Sequence, residues 1–143
     1  MLISEENKEV IRKQAFRESP KECCGVFYTP KETITPVAMP CENIDADPIN
    51  FFTISPKDYL AASLKGKIEA YYHSHLESES FSDFDKLIAE KFNLGCVMYH
   101  LPTDRFYEYS PVGYELPFVG RQYTIGIVDC FSLVKDCYLR NLN

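Results

Sequence analysis

Tyr71-Tyr72-His73-Ser74-His75, with Ser82 and Asp85 downstream, is the stretch whose residue types and spacing carry chemistry. On a β-strand, residues i and i+2 project from one face, so His73 and His75 can hold a single ion together. Asp85 lies ten residues beyond His75 and would reach back to that ion from the next element. Two imidazoles and one carboxylate leave a fourth position for water or substrate, as a catalytic zinc requires. A structural zinc would close that position, usually with cysteine.

The elements that must position these residues can be read from the flanking signals. Ser4 as N-cap, with Glu5 and Glu6 in the first turn, opens a helix to about Arg17 whose apolar face is Val10, Ile11 and Ala15. Strands are expected over 23–29, 33–39 and 50–54. Ser55-Pro56-Lys57-Asp58 starts a helix that stops near Gly66. Lys67 to His73 then alternates, with Ile68, Ala70 and Tyr72 on one side and Glu69, Tyr71 and His73 on the other. After a Ser- and Glu-rich loop, Ser82 reads as an N-cap with Asp83 and Asp85 behind it. Phe84, Leu87, Ile88 and Phe92 follow at helical spacing until Gly95. Strands at 96–100 and 105–109 flank a Pro-Thr-Asp turn. This order implies an α/β sandwich, a mixed sheet flanked by helices. Pro111, Gly113, Pro117 and Gly120 punctuate a linker before a helix starting at Asp129, on which Cys130, Leu133, Val134, Cys137 and Tyr138 share a face.

The chain has 143 residues, suited to one compact domain, with 45% hydrophobic and 25% charged residues. Fifteen basic against 21 acidic residues give a net charge of −6 with no basic stripe, which argues against nucleic acid or an anionic membrane surface as partner. No apolar run approaches a membrane span, and the N-terminus lacks a signal pattern. The six cysteines form no C-x-x-C pair and read as reduced thiols, so the expected location is the cytoplasm.

The pattern Glu22…His73-Ser74-His75…Ser82-Asp83-Phe84-Asp85 resembles the JAMM motif of the JAB/MPN metallopeptidases: a distant Glu, an H-x-H, then S-x-x-D. The likeness extends through Pro20-Lys21-Glu22-Cys23-Cys24-Gly25 and the order of Asn43, Pro48 and Phe52, and covers roughly residues 1–110. Six residues, Leu76 to Phe81, separate His75 from Ser82, one fewer than the family usually has, and Leu76 stands where proline is common. The resemblance implies a JAB/MPN-like, cytidine-deaminase-like sandwich in which His73, His75 and Asp85 hold Zn2+. It further implies that Glu22 is the general base and that Ser82 donates to the developing oxyanion, with a peptide or isopeptide bond cleaved. The alternative within the same fold is a non-catalytic scaffold or interaction module. His73, His75 and Glu79 also approximate the H-x-H-x3-E pattern of cupins. Lys86 stands where cupins have glycine, however, and 82–94 reads as helix in what would be an all-β fold.

Residues 111–143 are expected to form a linker and the front of a further domain. Pro117 to Tyr123 and Gly126 to Val134 resemble the opening of an NlpC-type cysteine peptidase, with Cys130 at the position of its nucleophile. No histidine follows Cys130 to act as its base, so this segment is expected to be a truncated or lost second domain. Its apolar helix face is expected to dock on the first domain or to form a homodimer through residues 118–143. A JAB-like domain followed by an NlpC-like one is the arrangement of tail-tip assembly proteins of long-tailed phages. That likeness implies phage tail proteins as partners and peptide, isopeptide or peptidoglycan cross-links as substrate.

Overall fold

The computed structural model describes residues 3–117 and 130–142. The chain divides into two compact units, Met1–Pro111 and Val112–Asn143. In the first unit a five-stranded sheet runs in the order β2-β1-β3-β4-β5. Its strands are β1 (Cys24–Pro30), β2 (Val37–Cys41), β3 (Gly66–His75), β4 (Gly95–His100) and β5 (Arg105–Tyr109). All neighbours are antiparallel except β3 and β4, which are parallel and joined by helix α3 (Asp83–Phe92). Helix α1 (Glu5–Glu18) precedes the sheet, and α2 (Pro56–Lys65) leads directly into β3. The mixed α/β sandwich is the fold observed.

Two apolar layers lie on opposite faces of the sheet. Ile11 and Ala15 of α1 pack with Phe27, Ala38, Ala70, Tyr72 and Val97. Ala62 of α2 and Ala89 of α3 pack with Val26, Phe52, Tyr71 and Cys96. Adjacent cysteines follow the strand alternation: Cys23 belongs to the α1 layer and Cys24 to the other, both wholly buried.

Helix α1 docks with amides as well as apolar groups. Asn7 donates to the Pro36 carbonyl and accepts from the Ala38 N–H, both at 2.9 Å, which covers edge strand β2. Gln14, 1% exposed, donates to the carbonyls of Cys24 and Cys41 and accepts the Tyr72 hydroxyl at 2.7 Å. Buried polar groups are tolerated when partnered in this way.

Three sequence expectations need correction. Residues 50–54 form no strand; a single bridge between Asn43 and Ile54 replaces it, because Asn43 ties its amide to the carbonyls of Glu22 and Phe51 and holds the segment as a loop. The second strand lies at 37–41, later than 33–39. On β3 the alternation breaks at Glu69: Phe27 pairs with Ala70 but Tyr28 with Ile68, so a bulge moves Ile68 to the Tyr71 layer.

In the second unit, helix α4 (Cys130–Leu142) carries Arg140, which donates to the Leu116 carbonyl at 2.7 Å and pairs with Glu115 at 2.8 Å. Val134 and Tyr138 on this helix are exposed. Residues 118–129, including most of the NlpC-like stretch, lie outside the described residues.

The β1–β3 contact sets a sharp packing test. A Cβ on Gly25 would land on the Tyr72 hydroxyl and on the backbone carbonyl of Met39, whereas one on Gly95 would meet only ordinary contacts, the nearest at 3.5 Å. Gly25→Ala should therefore cost about 1–3 kcal/mol in urea denaturation, and Gly95→Ala less than about 0.5 kcal/mol. The reverse order would contradict this packing.

Candidate metal centre

The candidate residues converge at one end of the sheet, at the C-terminal ends of the parallel strands β3 and β4. Ligands in open α/β sheets sit at such ends. His73 and His75 close β3, Glu22 precedes β1, and α3 begins here with Ser82 as its N-cap. Antiparallel pairing of Cys24 with His73 brings the approach to β1 alongside the histidines.

Asp85 is the third residue of α3, and a reciprocal capping box holds it there. The Ser82 N–H donates to Asp85 Oδ2 at 2.8 Å, and the Asp85 N–H donates to Ser82 Oγ at 3.1 Å. The same carboxylate faces both imidazoles, with Oδ1 3.3 Å from His73 Nε2 and Oδ2 3.5 Å from His75 Nε2. The two Nε2 atoms are 3.1 Å apart. One ligand atom from each of the three residues falls within 4.8 Å of the others. The loop that is one residue short therefore still delivers Asp85, because Ser82 and Asp85 travel together on one helix start.

This donor set fits zinc by its chemistry. Two nitrogens and a carboxylate oxygen converge on one point, and the His75 Nδ1 lies 3.1 Å from the Ser78 carbonyl. A carbonyl only accepts, so Nδ1 carries the proton and the Nε2 lone pair is left for a metal. The His73 ring is wholly buried and stacked on Phe52 at 4.6 Å, with Phe81 edge-on.

Glu22 stands beside this cluster, its Oε1 3.7 Å from His75 Nε2. Its backbone is fixed on both sides: the N–H donates to the Pro48 carbonyl at 2.7 Å, and its own carbonyl accepts from Asn43 at 2.9 Å. Burial pushes the Glu22 carboxyl up to about 8, aided by the charges of Asp85, Asp45 and Asp47 and opposed by His75. Burial acts on Asp85 in the same sense, but His73, His75 and the Ser82 N–H overcome it and hold this carboxyl well below the usual range. Burial lowers His75, yet its contacts with Asp85, Glu22 and the Ser78 carbonyl raise it overall.

Ser82 is exposed, and its oxygen accepts the Asp85 N–H, which leaves its own proton free to donate. Glu79 turns away from the histidines. It accepts from Tyr107 at 2.9 Å and lies 3.4 Å from His100 Nδ1, tethering the 76–81 loop to β4 and β5. The cupin-like pattern, which needs Glu79 on the ion, thus has no counterpart in this geometry. Sequence reasoning missed His100 as a neighbour, although strand pairing sets it directly beside His75. It also missed Cys96 and Phe81 around His73, for which composition and spacing offered no signal.

Residues 4–110 match the family model described as prokaryotic homologs of the JAB domain. The chain is 33% identical over 131 residues to the tail tip assembly protein K of Escherichia phage N15. That alignment covers 91% of this chain and 53% of the phage protein, so the chain spans about half the length of that relative. A Desulfitobacterium hafniense protein solved in solution shares the fold, with a TM-score of 0.58 at 19% identity over 84% of this chain and 97% of that one. No helix among the described residues is long and apolar enough to cross a membrane.

The site predicts a pH signature for the metal-free protein. Glu22 and His75 are both raised on folding, so each stabilises the fold most at low pH and loses that contribution as pH rises through its folded value. Asp85 acts oppositely, but only below the ordinary carboxylate range. Chelator-treated protein should therefore lose stability between about pH 5 and about pH 8, while zinc, which competes with protons for these ligands, should widen the gap between loaded and metal-free melting temperatures as pH rises. A metal-free protein that gains stability across that window would contradict the assignment.

Proposed function

Because the chain belongs to the prokaryotic homologs of the JAB domain, we propose that it is a JAMM-type zinc peptidase or isopeptidase, acting on peptide, isopeptide or peptidoglycan cross-links in the context of a phage tail. The observation that carries this reading is the Asp85 carboxylate facing the Nε2 atoms of buried His73 and half-buried His75, with Glu22 alongside. The tail context is supported by the likeness to a tail tip assembly protein. That likeness covers 91% of 143 residues, so it also extends past residue 110 into the NlpC-like segment.

His73, His75 and Asp85 would hold the ion, which supplies Lewis acidity and a nucleophile at neutral pH. Glu22 accepts the proton of the attacking water and passes it to the leaving amine. Burial raises this carboxyl to about 8 in the metal-free protein, and a cation held beside it would lower it again, towards the ionised form that a base requires. Ser82 donates its free hydroxyl proton to the developing oxyanion while its oxygen stays anchored by the Asp85 N–H. The aromatic wall of buried Phe52 and partly buried Phe81 keeps water from the inner side of His73.

A non-catalytic role in tail assembly is the second reading, supported by the name of the same phage relative. Glu22→Gln separates the two. Zinc-loaded protein should cleave a member of a panel of peptidoglycan stem peptides and tail-protein segments, and the variant should be slower by about 10²- to 10⁴-fold while retaining zinc. Equal behaviour of wild type and variant, in cleavage and in assembly alike, would favour the scaffold.

A further inference from the structure

The two imidazoles of the centre are held by different chemistry. His75 gives its Nδ1 proton to the Ser78 carbonyl, an acceptor with no alternative role. Among the described residues, His73 Nδ1 meets a thiol instead. Its Nδ1 lies 3.6 Å from the sulfur of Cys96, a buried residue on β4 whose register partner is Tyr71, two residues before His73. The Tyr71 hydroxyl also lies near that sulfur, and it donates to the backbone carbonyl of Asp85 at 3.0 Å. A chain of side chains thus runs from His73 through Cys96 and Tyr71 to the backbone of Asp85.

We propose that Cys96 is a positioning residue of the metal centre, its sulfur accepting the His73 Nδ1–H so that the Nε2 lone pair points at the ion. This rests on the reading of His73, His75 and Asp85 as a zinc site. A thiol is both a weak donor and a weak acceptor. In the metal-free protein the His73 Nε2 faces Asp85 Oδ1, which only accepts, at 3.3 Å and His75 Nε2 at 3.1 Å, so the proton resides on Nε2 and the bare Nδ1 accepts the Cys96 S–H. With metal bound, the His73 proton resides on Nδ1 instead, and the S–H turns to the Tyr71 oxygen. The ring stays neutral and no proton is gained or lost by it. The thiol serves both tautomers, whereas a carbonyl would permit one and a methyl group would leave the buried Nδ1–H without a partner.

The test compares wild type, Cys96→Ala and Cys96→Ser. Zinc affinity is measured by competition with a chromophoric chelator, and the His73 ring nitrogens are read by long-range 1H–15N NMR with and without zinc. Cys96→Ala should bind zinc about 10- to 100-fold more weakly, the usual effect of removing an outer partner of a ligating histidine, and Cys96→Ser should restore most of the loss. In wild type the His73 proton should move from Nε2 to Nδ1 on loading. Alanine affinity within about threefold of wild type, or an unprotonated Nδ1 in the loaded wild type, would overturn the inference alone. If Cys96→Ala fails to fold, the serine variant and the wild-type spectra decide. Wild type that binds no zinc would overturn this inference together with the zinc reading beneath it.

Discussion

The buried carboxylate of Asp85 is tied down twice, and the arrangement of this end of the molecule depends on that double use. As the third residue of α3 it closes a capping box with Ser82, and as a charge 3% exposed it faces His73 and His75. The magnitudes differ. A helix cap is worth about 1 kcal/mol, whereas a buried charge stripped of its partner costs about 3–5 kcal/mol. Electrostatic compensation by the histidines, or by a cation between them, is therefore the larger demand, and the cap fixes where it is met. The Tyr71 hydroxyl on the Asp85 carbonyl adds a third restraint, from the strand that carries the histidines.

The sheet supplies the rigidity this arrangement needs. β3 is central, flanked by β1 and β4, so the histidines sit on a strand paired on both edges. The Cys23 N–H donates to Ser74 Oγ at 2.8 Å, and the Ser74 N–H donates to the Cys23 carbonyl, which locks the residue between the two histidines to the strand that follows Glu22. Ligand and base positions are thereby coupled through backbone. Glu79 then tethers the short 76–81 loop on the other side, through Tyr107 and beside His100.

Where local rules dominate, the chain was readable. Ser82 with Asp85 three residues on, Ser55-Pro56 and Ser4 all mark helix starts that the structure uses, and the H-x-H lies on a strand as the period-two argument requires. Ser55, however, makes no side-chain cap bond, and the Asp58 carboxylate accepts from Glu42 instead. What could not be read depends on contacts distant in sequence. Asn7 and Gln14 look like solvent-facing positions of α1, yet their amides serve carbonyls and an N–H on β1 and β2. The polar face of that helix is therefore partly its docking face. The bulge at Glu69 reverses the side of Ile68 with no local marker. Cys96 meets His73 only because β3 and β4 are parallel neighbours in one particular register.

The measurement that bears most directly on the central claim is the zinc content of the purified chain, set beside that of Asp85→Ala, after reconstitution at neutral pH and removal of loosely bound metal. Near one zinc per chain in the wild type and almost none in the variant is the expected result, with both proteins folded by circular dichroism. No zinc in the wild type, or equal zinc in both, would contradict a metal centre built on His73, His75 and Asp85.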